Sequence, residues 1–430
     1  MLLKDIIKVT DAIVSGDYEE NLEVRISTDT RTIQKGDLYL PLKGESFDGE
    51  NFIEQAFEKG AIGAFCTQKH KIEGLLLQVP DTLIAYLKLA NYKRNQLNLK
   101  VVAITGSSGK TTTKEIVAST LESKYKVFKT PLNHNNEIGL CQTIFSTPAD
   151  TEVLVLEMGM RGLGEIELLS KYSEPDITIV SNVGTAHIGR LGSRENIAKA
   201  KCEIVKYQRG DLFIARYDEL IKKTVEFDGE KIFYSINDVK ILEKRINYSK
   251  FEYKNNIYEL NVSGDYNIEN ALSAINTGLK LGLNIEEIQR GLKNYKPIEK
   301  RWEGVISGGY EIINDSYNAN PESMKAFIDT VSELYNNYLL VLGDMGELGE
   351  NEILYHKNLG KYIRQKGIFN VITIGRLSEN ISKECDGKHF YNKEDAVKYI
   401  KENISKDTKI FLKASRSMRF EEVIEKLSNT

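Results

Sequence analysis

Three almost wholly apolar runs, broken only by Thr178, constrain the fold more than anything else in this chain: Val101-Val102-Ala103-Ile104, Val153-Leu154-Val155-Leu156 and Ile177-Thr178-Ile179-Val180. None alternates with polar residues, so each reads as a strand buried on both faces, and helical stretches lie between them. Buried strands joined by helical crossovers build a parallel sheet with helices on both sides. The alternation returns in residues 312–313, 339–342, 371–374 and 410–412, which predicts a second, Rossmann-like α/β unit. Between the two, residues 231–262 hold Tyr/Phe/Ile-rich strands around Asn255-Asn256, predicting an antiparallel hairpin appended to the central sheet, with a helix over 266–281 after it. Residues 1–98 mix a short amphipathic helix, strands at 23–26 and 37–42, and a helical stretch at 51–59 closed by Gly60.

A chain of 430 residues exceeds what one core organises. The expected class is therefore α/β in three domains: 1–98, small and mixed; 99–298, a central phosphate-binding parallel sheet with the antiparallel portion; and 299–430, the Rossmann-like unit, the change falling near Lys296-Pro297. A formal charge of −4 supplies no basic field for nucleic acid. No apolar run approaches the ~18 residues of a membrane span, and charges interrupt Met1-Leu2-Leu3-Lys4-Asp5, so neither a signal peptide nor membrane insertion is expected. Cysteines at 66, 141, 202 and 385 are too scattered for zinc pairs and too few for a disulfide framework, which fits a reducing, cytoplasmic setting.

Directly after the first apolar run comes Thr105-Gly106-Ser107-Ser108-Gly109-Lys110-Thr111-Thr112, where a strand gives way to a helix. Backbone N–H groups of such a turn and the helix N-terminus surround an anion; Lys110 reaches outer phosphates and the Thr111 hydroxyl suits magnesium. The longer form of the motif has a glycine where this chain has Ile104, so the match is to the shorter G-x-x-G-K-T form. The bland alternative is a glycine turn with a chance lysine.

In an open parallel sheet ligands bind beyond the carboxyl ends of the strands. Glu157 follows the second run and His187 the third, making them candidates for a magnesium ligand and for a second metal or substrate contact. Each is, taken alone, as readily a loop or structural residue. Lys199 and Lys201 lie on a helix soon afterwards, and alone read as a solvated pair.

Four ordered segments, the phosphate turn extended through Lys114, Asn133-His134-Asn135-Asn136-Glu137-Ile138-Gly139, Glu157-Met158-Gly159-Met160 and Asn182-Val183-Gly184-Thr185-Ala186-His187, resemble the Mur ligases of peptidoglycan synthesis. The likeness runs on through residues 314–321, Gly343-Asp344-Met345 with Glu347-Leu348-Gly349, and residues 413–419, and it includes Ser27-Thr28-Asp29-Thr30-Arg31 and Leu42-Lys43-Gly44 near the start.

The resemblance implies an amino-terminal domain for the UDP end of a substrate, a central domain for ATP and magnesium, and a third domain that closes over both. It implies Gly106, Ser107, Ser108, Gly109, Lys110, Thr111 and Thr112 as the ATP turn, with Asn267 and Asn270 approaching adenine. Family members commonly carry histidine where this chain has Tyr266, which leaves the contact at 266 open. Arg301 would reach the ATP phosphates and Asp315 the ribose; their structural alternatives are a surface salt bridge and a helix N-cap. Thr111, Glu157, His187 and Lys201 would hold Mg2+, Lys201 as a carbamylated lysine, and Lys110, Glu157, His187 and Lys201 would form the catalytic set. Carbamylation requires surroundings that lower the lysine pKa.

Ser27, Asp29, Arg31, Lys43, Asn135, Asn136, Ser415 and Arg416 would face substrate, although polar residues in such loops often only stabilise turns. The implied partners are UDP-N-acetylmuramoyl-tripeptide and D-alanyl-D-alanine, joined by a monomer through an acyl phosphate. Rival readings are a related amide ligase using a single amino acid or folate, and a phosphate-loop NTPase switch that ligates nothing.

Overall fold

The computed structural model describes residues 1–44, 46–131, 133–298 and 300–428. Glu299 and Thr430, the ends of the third expected domain, lie outside them. The chain divides into two compact units, one of residues 1–99 with 130–149, the other of 100–129 with everything from 150 onward.

In the first unit the strands stand in the order Ile13–Ser15, Leu75–Gln78, Gly63–Cys66, Leu38–Tyr39, Ile26–Ser27, the first antiparallel to its neighbour and the rest parallel. The strands expected at 23–26 and 37–42 condense to two residues each, because only Ile26–Ser27 and Leu38–Tyr39 keep ladder pairing. Tyr39, Ile53, Ala56, Ala64 and Leu76 pack beneath. Helix Thr82–Gln96 begins where the Asp81 side chain accepts from Ile84 N (3.0 Å). Against it lies helix Glu137–Ser146, with the Tyr86 and Phe145 rings stacked 5.4 Å apart. That contact draws residues 130–149 out of the central stretch of sequence into this unit.

The second unit holds an all-parallel sheet in the order Glu230–Tyr234, Leu212–Arg216, Ile177–Val180, Lys100–Thr105, Val153–Glu157, Val127–Lys129. The chain adds strands first to one side of Lys100–Thr105 and then to the other, so the order reverses at that strand. Such a reversal opens a crevice at the strand ends, the usual ligand position in doubly wound sheets.

The expected hairpin is instead a three-stranded antiparallel sheet, Lys240–Arg245, Tyr248–Tyr253 and Asn256–Leu260. Residues 231–234 leave it because they pair in parallel with Leu212–Arg216, Ile232 opposite Ile214. Lys254 and Asn255 turn the hairpin at φ 48° and 59°, the double positive φ of a two-residue type I′ loop.

The last sheet runs Glu303–Ser307, Tyr310–Asn314, Lys409–Lys413, Tyr338–Gly343, Val371–Ile374, Lys388–Phe390, parallel except for the first strand. All four apolar runs expected in this part of the chain lie in it. Among the described residues no helix is long and apolar enough to cross a membrane.

Candidate active site

The phosphate turn sits at the reversal of strand order. Thr105 Oγ1 donates to Met158 O (2.9 Å) and Ser181 N donates to Thr105 O (2.9 Å), lacing the three central strand ends together. Gly106 has to be glycine here, since an added Cβ would stand 1.8 Å from Ser181 Oγ, which itself donates to Ser108 O (2.7 Å). Asn182 then fixes the turn: its Oδ1 accepts from Ser107 N (3.1 Å) and Ser108 N (3.0 Å), and its Nδ2 donates to Ser108 Oγ (2.8 Å). Ser107 Oγ in turn accepts from Gly184 N (2.9 Å).

Gly109, at φ 74°, swings the backbone into helix Lys110–Leu121 and aims that helix's positive end at the crevice. Lys110 Nζ folds back to donate to Gly106 O (2.9 Å). Burial lowers the Lys110 pKa, helped by the Arg301 charge and opposed by Glu157 and Glu347, so four charged groups share this neighbourhood. Thr112, next on the helix, is half-buried. Glu157, 5% exposed, closes its strand opposite Ile104.

Arg301 Nη2 donates to Thr111 Oγ1 (2.8 Å), and its guanidinium lies 4.0 Å from the centroid of the Tyr317 ring. A surface salt bridge, the bland alternative, is not what it makes. Its neighbour Trp302 anchors the segment, 3% exposed and packed edge-on to Phe327 at 5.7 Å. Asp315 is no helix cap either: its Oδ2 pairs with the buried Lys413 (2.5 Å) and its Oδ1 accepts from Trp302 N (3.2 Å). The cap of helix Pro321–Leu334 is Asn320. Asn270 Oδ1 accepts from Thr113 Oγ1 (3.1 Å), and Asn267 Nδ2 donates to Ser263 O (2.7 Å). Tyr266 is held far above its ordinary phenol range by burial first and by Asp315 next.

Lys201 is 1% exposed, whereas Lys199 on the same helix is exposed. Burial, then the Lys110 charge, pull the Lys201 amine well below the usual lysine range. His187, at φ 65°, stands at the N-cap of Ile188–Leu191 with Nδ1 2.7 Å from Glu347 Oε2, the ring N–H not lined up on the carboxylate. Among the described residues no three His, Cys, Asp or Glu side chains converge as a metal cluster.

Of the expected substrate residues, Ser415 Oγ donates to Asp344 O (2.7 Å) and accepts from Gly346 N (2.7 Å), and Arg416 pairs with Glu421 (3.0 Å). The others belong to the first unit. Ser27 Oγ donates to Asp29 O (3.2 Å), and Lys43 pairs with Asp48 (3.3 Å). Arg31 holds Asp29 at 2.7 Å and, mainly through that side-chain hydrogen bond, lowers its pKa to about 2. Asn136 caps helix Glu137–Ser146 by accepting from Gly139 N (2.9 Å), while Asn135, half-buried, precedes it.

The Mur ligase middle domain matches residues 104–278, the Mur ligase glutamate ligase domain residues 300–416, and the Mur ligase catalytic domain residues 24–120. A UDP-N-acetylmuramoyl-tripeptide--D-alanyl-D-alanine ligase of Bacillus subtilis (strain 168) is 37% identical over 97% of this chain and 96% of its own length. The chain belongs to the Mur ligase family. Crystal structure I of MurF from Acinetobacter baumannii superimposes on this Mur ligase with a TM-score of 0.91 at 27% identity, covering 100% of this chain and 99% of its own. The MurF ligase of Thermotoga maritima in complex with ADP gives 0.86 at 28% identity, over 94% and 97%.

Four residues of this Mur ligase escape a reading of its sequence. Asn182 stood in a motif without a role, although an amide side chain just past a strand end is a signal. Lys413 is hidden because its partner Asp315 is nearly a hundred positions away. Glu322, which accepts from Thr185 N (3.2 Å) and Thr185 Oγ1 (2.9 Å), and Glu347 are joined to their partners only by the fold.

Proposed function

We propose that this Mur ligase joins D-alanyl-D-alanine to the tripeptide carboxylate of UDP-N-acetylmuramoyl-tripeptide, consuming ATP through an acyl phosphate. The observation that carries the reading is the meeting of Lys110, Arg301 and Thr111 at one helix N-terminus, in a chain alike nearly end to end to a relative of that name. Three domains at 1–98, 99–298 and 299–430 would divide the work into UDP binding, ATP binding and closure.

ATP fits the turn because Gly109 opens an N-terminal helix end beside Lys110 and Arg301. Thr111 and Glu157 supply hard oxygens of the kind magnesium takes when it shares nucleotide phosphates, and His187 with a carbamylated Lys201 would serve a second ion. Bound there, the metal neutralises negative charge that builds on the transferring phosphoryl group. Lys201 supports its part by being buried, with its amine pulled well below the usual lysine range and so toward the neutral form that adds carbon dioxide. Asn267 and Asn270 would approach the adenine and Asp315 the ribose, as the resemblance to the family implies.

A carboxylate is a poor electrophile, so the tripeptide carboxylate first attacks the γ-phosphate, breaking the bond to ADP. Lys110 and Arg301 orient the phosphates and balance their charge. The amine of D-alanyl-D-alanine then attacks the acyl carbon, loses a proton, and phosphate leaves. Ser27, Asp29, Arg31, Lys43, Asn135 and Asn136 would hold the nucleotide-sugar end, and Ser415 and Arg416 the incoming dipeptide. Water competes for the acyl phosphate, which gives closure of the last domain its purpose.

Purified protein supplied with the nucleotide tripeptide, ATP, magnesium and D-alanyl-D-alanine should release ADP and phosphate in step with the pentapeptide nucleotide. ATP turnover that ignores the dipeptide, with no pentapeptide formed, would sink the reading.

A further inference from the structure

The segment 184–189, which carries His187, is gripped by the last domain along one seam. Glu322, in the first turn of helix Pro321–Leu334, takes both the N–H and the hydroxyl of Thr185. Two residues on, Glu347 Oε2 lies 2.7 Å from His187 Nδ1, and Gly189 N donates to Glu347 O (3.4 Å). The backbones then touch at Gly189 and Gly349, where a Cβ on Gly349 would stand 2.6 Å from Gly189 Cα and one on Gly189 2.7 Å from Gly349 N.

His187 and Glu347 are both non-glycine residues in the left-handed region, at φ 65° and 60°. That conformation costs on the order of 1 kcal/mol each and persists where the surroundings over-determine it, typically at functional sites. Here the two strained residues are each other's partners across a domain boundary.

We infer that Glu347 is a positioning residue for His187: its carboxylate, 2.7 Å from Nδ1, favours the proton on that nitrogen, so that Nε2 is the nitrogen left for a divalent cation. A carboxylate behind an imidazole ligand has this effect in metal sites generally, and its loss costs about 10- to 100-fold in metal affinity. The inference rests on the ligase reading above, since it takes His187 as a metal ligand. It adds that the ligand is set by a side chain of the last domain, Glu347, rather than by the central one.

The test titrates Mn2+ into the full chain with ADP present, following free Mn2+ by its paramagnetic resonance. Glu347→Ala is expected to weaken Mn2+ binding about 10- to 100-fold, and Glu347→Gln, whose amide keeps an acceptor oxygen beside Nδ1, to recover most of it. Glu347→Asp, one methylene short, gives the same weakening should the alanine variant not fold. Glu322→Ala removes only the contacts to Thr185, leaves the Glu347–His187 pair in place, and is expected to keep Mn2+ affinity within about twofold of wild type. Unchanged affinity in both Glu347→Ala and Glu347→Asp, or equal weakening in Glu322→Ala, overturns the inference. Absence of pentapeptide product from the wild-type protein counts against the ligase reading alone, because the Mn2+ titrations require no turnover.

Discussion

Lys199 and Lys201 stand on one helix and live in opposite surroundings, because two residues turn a helix by about 200°. Lys199 faces solvent, while Lys201 is buried and its amine is pulled well below the usual lysine range, by burial first and the Lys110 charge next. A neutral amine attacks carbon dioxide, loses a proton, and becomes an anionic oxygen donor where a cation stood. Lys201→Ala should therefore lose ~100-fold or more in kcat, about 2.7 kcal/mol of barrier. Acetate or formate should restore part of that loss by occupying the vacated space, and full activity in the variant would rule the carbamate out. The family motif already pointed at this lysine, but its environment was not legible: lysines at 199 and 201 look alike as letters, and only the packing of Ile197, Ala198 and Ala200 around the helix tells them apart.

Elements were legible in proportion to how locally they are determined. The runs at 101–104, 153–156 and 177–180 appear as Lys100–Thr105, Val153–Glu157 and Ile177–Val180, because almost wholly apolar strands have one stable home. Ile26–Ser27 and Val127–Lys129 show no such pattern, being short edges stabilised by a single neighbour. Helix Glu352–Gln365 carries an internal tie that periodicity also hides: His356 Nδ1 donates to Glu352 O (2.7 Å) and its Nε2 accepts from Met345 N (3.0 Å). Accepting from Met345 N needs the neutral ring, and burial lowers its pKa below the ordinary 6.5. The unfolded chain thus takes up a proton that the folded one refuses, so this stability is intact above pH 6.5 and declines as pH falls through the acid side. The decline is at most about 1.4 kcal/mol per pH unit. Denaturant midpoints taken from pH 7 down to 5.5 should fall more steeply for wild type than for His356→Gln, whose amide can make both bonds without titrating. Parallel slopes would assign the acid sensitivity elsewhere.

At the scale of the molecule, the division into compact units does not follow the order of the chain, and nothing in residues 130–149 announced it. Asn136 reads as a substrate contact or loop polarity, whereas it caps the helix that packs on Thr82–Gln96, accepting from Gly139 N. A fragment ending at residue 99 should accordingly bare Tyr86 and neighbouring apolar surface and bind a hydrophobic dye strongly. Appending residues 130–149 through a short flexible linker should suppress that binding, and equal dye uptake by the two fragments would show the helix to be dispensable. The same arrangement has a consequence for how the protein is made. A ribosome delivers residues in order, so the first unit waits, unfinished, while the central strand Lys100–Thr105 and the whole phosphate-turn helix emerge ahead of its last helix. The nucleotide-handling turn is therefore synthesised before the first unit can complete itself, and until residues 130–149 follow, the face around Tyr86 stays uncovered for a chaperone to hold.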